Sequence, residues 1–249
     1  MRGGEILAAI DGIRLTAVRT AAASALAARQ MAPQRSWRMA ILGSGLEAET
    51  HCRAMAAVNA ISDIRVFSPN RARRSAFAVR MSAQLGIPVT ACETADAAVR
   101  GADHVVVATH TGASGNIAYD AAWLEKGQHL TSIGSTNLRL RELDARVFGL
   151  VDDLVFDVKA DQVARESADV SAFCALGGNL ERARWLPDVI SGGRRRREDD
   201  ATTLFKSVGS GVEDIVAAAL VYRAARDRGV GQRVSELATL KLSPSAARG

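Results

Sequence analysis

The stretch RMAILGSGLEAETH (Arg38–His51) decides the fold. Its apolar opening, RMAILG, predicts a strand, Gly43-Ser44-Gly45 a tight turn, and residues 46 to about 58 a helix. Gly43, Gly45 and Ala48 match G-x-G-x-x-A. In that pattern the first glycine permits the turn and the second lets a pyrophosphate approach the backbone. The small third residue lets the helix pack close to the strand. Leu46, Glu47 and Ala48 open the helix, whose unpaired N–H groups face toward any bound phosphate. Glycine turns of this kind also serve packing alone. Here the turn leaves the first strand of a βαβ series, which is the context that marks a dinucleotide site.

Working outward, strands and helices alternate. IRVFS, PVTAC, HVVVATH, HLTSIG and LVDDLVFDV read as strands. RARRSAFAVRMSAQLG (stopped at Gly86), TADAAVRGA and KADQVARESA read as helices, and residues 175–203 as loop with one short helix. Apolar strands separated by helices imply an α/β fold, a Rossmann-type doubly wound parallel sheet, assigned to residues 34–203. Upstream, GEILAAIDGIRL predicts two short extended pieces around an Asp11-Gly12 hairpin turn, and LTAVRTAAASALAARQM an alanine-rich helix ended by Pro33. Downstream, GVEDIVAAALVYRAARDRG predicts a final helix with Val212, Ile215, Val216, Ala219 and Tyr222 on one face and Gly229 as its cap. Residues 1–33 and 204–249 are assigned to a partial second domain, with a disordered extreme C-terminus.

The end of the second strand bears on the coenzyme. An acid there would hydrogen-bond the adenosine ribose and repel a 2′-phosphate. This chain has Ser68, Pro69 and Asn70, then Arg71, Arg73 and Arg74. Small hydrogen-bonding groups followed by arginines suit a phosphate dianion, so NADP is expected over NAD. The competing reading is a solvated first helical turn.

The totals exclude several classes. The 249 residues are 48% hydrophobic, 24% charged and 4% aromatic, with net charge +5. The arginines are dispersed apart from Arg194–Arg197 and are not interleaved with aromatics, which argues against nucleic acid as a partner. Cys52, Cys92 and Cys174 form no Cys-x-x-Cys, which fits a reducing cytosol. No apolar run reaches membrane-spanning length, so a cytoplasmic protein is expected. His51, His104, His110 and His129 show no metal-ligand spacing, and no metal is expected. Asp152, Asp153 and Asp157 read as strand-end and turn residues.

Three separated stretches, IDGIRLTAVRTAAASALAA, GSTNLRLRELD and TLFKSVGSGVEDIVAAALVYRAA, together resemble the ornithine cyclodeaminase/mu-crystallin family of NAD(P)-dependent enzymes. The resemblance covers nearly the whole chain. It implies a Rossmann domain inserted into a dimerising, substrate-binding domain, a homodimer, and an amino-acid or imino-acid substrate. It places the substrate carboxylate at Arg19, read as lying in the first turn of the alanine-rich helix, and Thr20 near the coenzyme phosphates. Thr109, Ser135 and Thr136 follow strands at their C-terminal ends, where nucleotides gather in such sheets. They are expected to flank the nicotinamide and the reacting imine, with Lys206, Ser207 and Gly209 approaching from the other side. Ser207 or Ser210 equally suits helix capping.

Two departures qualify the resemblance. Family members are usually longer at the N-terminus, so a truncated product, a misplaced start or a cofactor-binding remnant is expected. In the cyclodeaminase branch an aspartate stands where this chain has Thr136, and a threonine hydroxyl does not ionise near neutrality to act as a base. The expected function is therefore reduction of the C=N bond of a small imino acid of pyrroline-2-carboxylate or ketimine type, with Arg19 and Thr136 as the catalytic pair. The alternatives are an ornithine cyclodeaminase-like lyase with bound NAD, and a non-catalytic NADP-binding protein.

Overall fold

The structure is a computed structural model and describes residues 6–109, 117–192 and 200–232. His110, Arg194–Arg197 and the extreme C-terminus lie outside the described residues. From α1 (Gly12–Met31) the chain enters β1 (Trp37–Leu42), α2 (Leu46–Val58), β2 (Ile61–Phe67), α3 (Arg71–Leu85), β3 (Val89–Ala91), α4 (Ala95–Val99) and β4 (His104–Val107). After a 3-10 turn at Ala121–Trp123 follow β5 (His129–Ser132), α5 (Val147–Leu150), β6 (Asp153–Phe156), α6 (Ala160–Glu166) and α7 (Ala168–Ala175). The described chain ends through β7 (Arg184–Trp185), α8 (Leu186–Ser191), β8 (Thr203–Lys206) and α9 (Gly211–Asp227).

The strands form one eight-stranded sheet, ordered β3-β2-β1-β4-β5-β8-β6-β7, with every pairing parallel. Because side chains alternate across a strand, each face collects every second residue. Met39, Ile41, Ile64, Val66 and Val106 pack on one side beneath Ala25 and Ala28 of α1, Met55 of α2 and Phe77 and Met81 of α3. Ala40, Leu42, Val105, Val107, Leu154 and Leu204 face the other side, under Val99, Phe148, Val163 and Val170. Ala23, Ala27 and Met31 of α1 join Leu186 and Val189 over Val155 and Phe205. The alanines of α1 thus bring it close to the sheet.

Three expectations need correction. No hairpin forms at Asp11-Gly12. Residues 6–10 carry no regular structure, and the Asp11 carboxylate instead accepts a hydrogen bond from Ile13 N–H (2.9 Å) as the N-cap of α1. Aspartate suits that position as well as a turn, and the helix offers it a partner. The segment KADQVARESA divides: α6 stops at Ser167, whose side chain then caps α7. TLFK was read only as the approach to the last helix, yet it is the strand β8, inserted between β5 and β6 and buried at every position. The sheet therefore draws a strand from beyond residue 203, and its face a helix from before residue 34.

The described histidines cross-link elements. His51 Nδ1 lies 2.7 Å from the Glu47 carbonyl, which only accepts, so Nδ1 carries the proton and Nε2 accepts from Ser24 Oγ of α1 (3.0 Å). His104 and His129 share the Thr131 hydroxyl. Burial pulls His51 down to about 4 and His104 to about 3, the latter helped by His51. Both are neutral when folded, whereas the unfolded chain takes up these protons near 6.5. Stability from this source is complete above that pH. It falls as pH drops from 6.5 toward the folded values, by roughly 1.4 kcal/mol per unit for each histidine. Urea unfolding measured between pH 7.5 and 5 is expected to show this slope, with His51→Gln removing about half of it; a flat profile would contradict the assignment.

Candidate functional site

The strand order reverses between β1 and β4, and at that point the strand exits part to leave a crevice. Gly43, at the exit of β1, has φ +123°, and a Cβ there would sit 2.2 Å from the Ala108 carbonyl oxygen at the exit of β4. Only glycine lets the two exits pass this closely. A Cβ on Gly45 would meet nothing within 4 Å, so its open side is available to a ligand. No side chain caps α2, although Asp11, Asn70 and Ser210 cap α1, α3 and α9. An uncapped helix start beside an open glycine fits a pyrophosphate, which accepts from such N–H groups.

Above this turn lies a cavity of about 1130 Å³, larger than the roughly 300–1,000 Å³ of ordinary small-molecule sites. It gathers the exits of β1 (Gly43, Gly45, Leu46, Glu47), β2 (Ser68, Asn70), β4 (Thr109), β5 (Gly134, Thr136) and β8 (Ser207, Gly209). α1 contributes Thr16, Arg19 and Thr20. Of the expected site residues, Ala48, Arg71 and Ser135 do not line it. Ala48 is fully buried behind the turn, against the core beneath α1. Arg71 points to solvent, 3.8 Å from Glu93, and Arg73 takes the lining position because the helix turns about 100° per residue. Arg74 is buried, bonded to Glu93 and to the Ser68 carbonyl. Ser135, between the lining residues Gly134 and Thr136, is itself buried, with its hydroxyl bonded to Ser167 Oγ (3.1 Å).

The remaining expected residues are placed with partners the sequence did not disclose. Arg19 lies in the middle of α1, not its first turn, because the helix begins at Gly12. Its Nε donates to Asp214 (2.8 Å) and its Nη1 to Glu213 (3.0 Å), which sit in the first turn of α9. Its guanidinium also packs on Gly209, where a Cβ would come within 2.7 Å of Nη1. The Thr20 hydroxyl donates within its own helix to Thr16 (2.8 Å). Ser207 donates to Asp157 Oδ2 (2.6 Å), which also accepts from Gly209 N–H (2.6 Å), and Ser210 is the cap of α9. Asp157, at the exit of β6, thus shapes the turn that holds Gly209 against Arg19. Ser68 pairs with Ser44 (2.9 Å), and Asn70 caps α3 through Arg73 N–H.

Glu142 was missed as part of the site, and Lys206, expected to approach it, lies outside the cavity lining. Glu142 accepts from Thr109 and Gly134 between the exits of β4 and β5. Lys206 lies behind it, fully buried in β8. Burial pushes the Glu142 carboxyl above the usual carboxylate range and the Lys206 ammonium below its usual range, while their mutual attraction opposes both shifts. The lysine that ends TLFK was the available signal, since a charge buried in a strand needs a counter-charge nearby. Which of the 27 acids supplies it cannot be read from spacing.

Because a Cβ on Gly45 meets no protein atom, Gly45→Val should leave the thermal midpoint nearly unchanged while weakening nicotinamide dinucleotide binding about tenfold or more. Calorimetric titration checks this, and unaltered affinity would remove the glycine turn from the binding site.

Comparison with known proteins agrees with this geometry. The chain is 31% identical over 238 residues to a Delta(1)-pyrroline-2-carboxylate reductase of Bacillus cereus, covering 93% of this chain and 70% of that protein. It is 34% identical over 220 residues to the ketimine reductase mu-crystallin of Mus musculus, covering 88% and 65%. Among solved structures, the Thermococcus litoralis Delta(1)-pyrroline-2-carboxylate reductase in complex with NADH and L-proline superposes with a TM-score of 0.82 at 31% identity, covering 90% of this chain and 68% of that one. The chain thus spans about two thirds of the length of these relatives. The family model matches residues 1–229, and the chain belongs to the ornithine cyclodeaminase/mu-crystallin family.

Proposed function

We propose that the protein is an NAD(P)-dependent oxidoreductase that reduces the C=N bond of a small imino acid of pyrroline-2-carboxylate or ketimine type. The observation that carries this reading is the single cavity wall shared by the glycine turn, Thr109, Thr136 and Arg19. Its dinucleotide end and a cation for a carboxylate belong to one cavity. The reductases among its relatives support the same chemistry.

When bound, the coenzyme supplies the hydride for the imine carbon. The protein's own groups bind and orient. Two of the five guanidinium N–H groups of Arg19 are committed to Asp214 and Glu213, which fixes its plane and leaves the Nη2 side for a substrate carboxylate. Thr136, beyond β5, supplies a hydroxyl for the imine nitrogen or a water. A lyase reaction is disfavoured because Thr136 cannot act as a base near neutrality.

For the coenzyme, NADP is the preferred form. Ser68, Asn70 and Arg73 line the cavity beyond β2, with Ser44 of the β1 turn beside Ser68, and among the described residues no carboxylate lines it beyond β2 to repel a 2′-phosphate. A homodimer is the preferred assembly. No residue of α9 is buried, and Val212 and Ile215 are more than two-thirds exposed. Apolar area of that kind is ordinarily covered by a partner.

Incubation with pyrroline-2-carboxylate and NADPH is expected to consume the coenzyme and yield proline, while ornithine alone yields no ammonia. Ammonia and proline from ornithine would instead identify the lyase, and tight NADPH binding without turnover a non-catalytic protein. Arg73→Ala should weaken NADPH binding about tenfold while leaving NADH unchanged, and equal losses for both would overturn the NADP preference. Arg19→Met should raise KM for the imine about tenfold or more with the coenzyme Kd unaltered, and unchanged kinetics would refute the carboxylate role.

A further inference from the structure

Glu142 has no exposed surface and takes four hydrogen bonds on one carboxylate. Oε1 accepts from Thr109 N–H (2.7 Å) and from the Thr109 hydroxyl (2.8 Å). Oε2 accepts from Gly134 N–H (2.6 Å) and from Ser132 Oγ (3.1 Å). Amide N–H groups only donate, so both oxygens are held as acceptors, the arrangement an ionised carboxylate satisfies. The Lys206 ammonium reaches the same Ser132 hydroxyl (3.3 Å) and supplies the balancing charge. Glu142 is itself fixed from behind. Its N–H donates to Asp169, also fully buried, and its carbonyl accepts from Ala118 and Tyr119. Glycine at 134 is part of the arrangement, since a Cβ there would lie 2.1 Å from Glu142 Oε1 and 2.5 Å from the Thr109 carbonyl oxygen.

The consequence lies at the cavity wall. A threonine hydroxyl has one proton and two lone pairs. Thr109 lines the cavity and gives its hydroxyl proton to Glu142, so toward any ligand that hydroxyl is restricted to accepting. An N–H group suits it and a carbonyl oxygen does not. We propose that Glu142 is a positioning residue of the reduction site: it orients Thr109 as a hydrogen-bond acceptor for an N–H donor, either the protonated imine nitrogen of the substrate or the carboxamide of the coenzyme. This rests on the reductase reading above. It adds a basis for discriminating a C=N–H⁺ group from the C=O of the parent keto acid.

A double-mutant cycle tests it, using Thr109→Val, Glu142→Gln and the pair, with coenzyme Kd, imine KM and kcat, and thermal midpoint measured for each. The Glu142→Gln variant would present an amide NH₂ to groups that themselves donate. Each single variant is expected to lose about 100-fold in kcat/KM, with Glu142→Gln adding less than about threefold in the Thr109→Val background. Thr109→Ser, which keeps the hydroxyl, should recover what Thr109→Val loses. A loss confined to imine turnover assigns the donor to the substrate, and a loss in coenzyme affinity assigns it to the carboxamide. Additive losses, or full activity in Thr109→Val, overturn the proposal. The Val and Ser variants decide it alone if Glu142→Gln does not fold. Absence of imine turnover in the unaltered protein would overturn the reductase reading and this inference with it, whereas turnover with additive variants overturns this inference only.

Discussion

The Ala108 carbonyl oxygen occupies the space into which any side chain at residue 43 would project. That close approach sets the geometry of the site. Because Gly43 turns away at φ +123°, β1 and β4 stay paired to their last residues, Leu42 opposite Val107, and then part abruptly. α2 begins just after the parting, with its first N–H groups uncapped by any side chain. A wider turn would carry α2 off the sheet and off α1, against which Ala48 packs. The alanine-rich face of α1, the small residue at 48 and the glycine at 43 therefore belong to one requirement, that backbone pass near backbone.

The opposite wall of the crevice is built from charge. Glu142, Asp169 and Lys206 are all fully buried, and removing any one would leave its partners desolvated without compensation. Such groups add little net stability compared with apolar residues of the same shape, and what they confer is direction. Here Glu142 holds the Thr109 hydroxyl and the Gly134 N–H, two residues that line the cavity, in fixed directions. Asp157 does the same for the turn after β8, and the Arg19 pairing with Asp214 and Glu213 ties that turn back to α1. Four strand exits and one helix are thus held by carboxylates drawn from separate parts of the chain, Glu142, Asp157 and the Glu213-Asp214 pair.

That contrast explains what was legible in the sequence. RMAILGSGLEAETH disclosed β1, the turn and α2 because each depends on residues within a turn or two of one another. The helix from Leu46 to Val58 and the stop at Gly86 were legible for the same reason. β8 was not, since Thr203–Lys206 is a strand only through pairing with β5 and β6, and a terminal lysine disguises its burial. Arg19 was recognisable as a site residue, but its acidic partners lie nearly two hundred residues away. Arg71 and Arg73 are equally basic, and only the phase of α3 decides which of them reaches the cavity. Glu142 stands within GSTNLRLRELD, but nothing local marks it as a partner of Thr109 and Gly134. Its role arises from two strand exits meeting around it.

The central claim, hydride delivery to an imine carbon inside this crevice, is tested most directly by isotope transfer. NADPH or NADH carrying deuterium at the transferable C4 position is incubated with the protein and pyrroline-2-carboxylate, and the product is analysed by mass spectrometry and NMR. The account predicts proline with one deuterium, located at the α-carbon. Proline free of deuterium, formed while the coenzyme keeps its label, would contradict it.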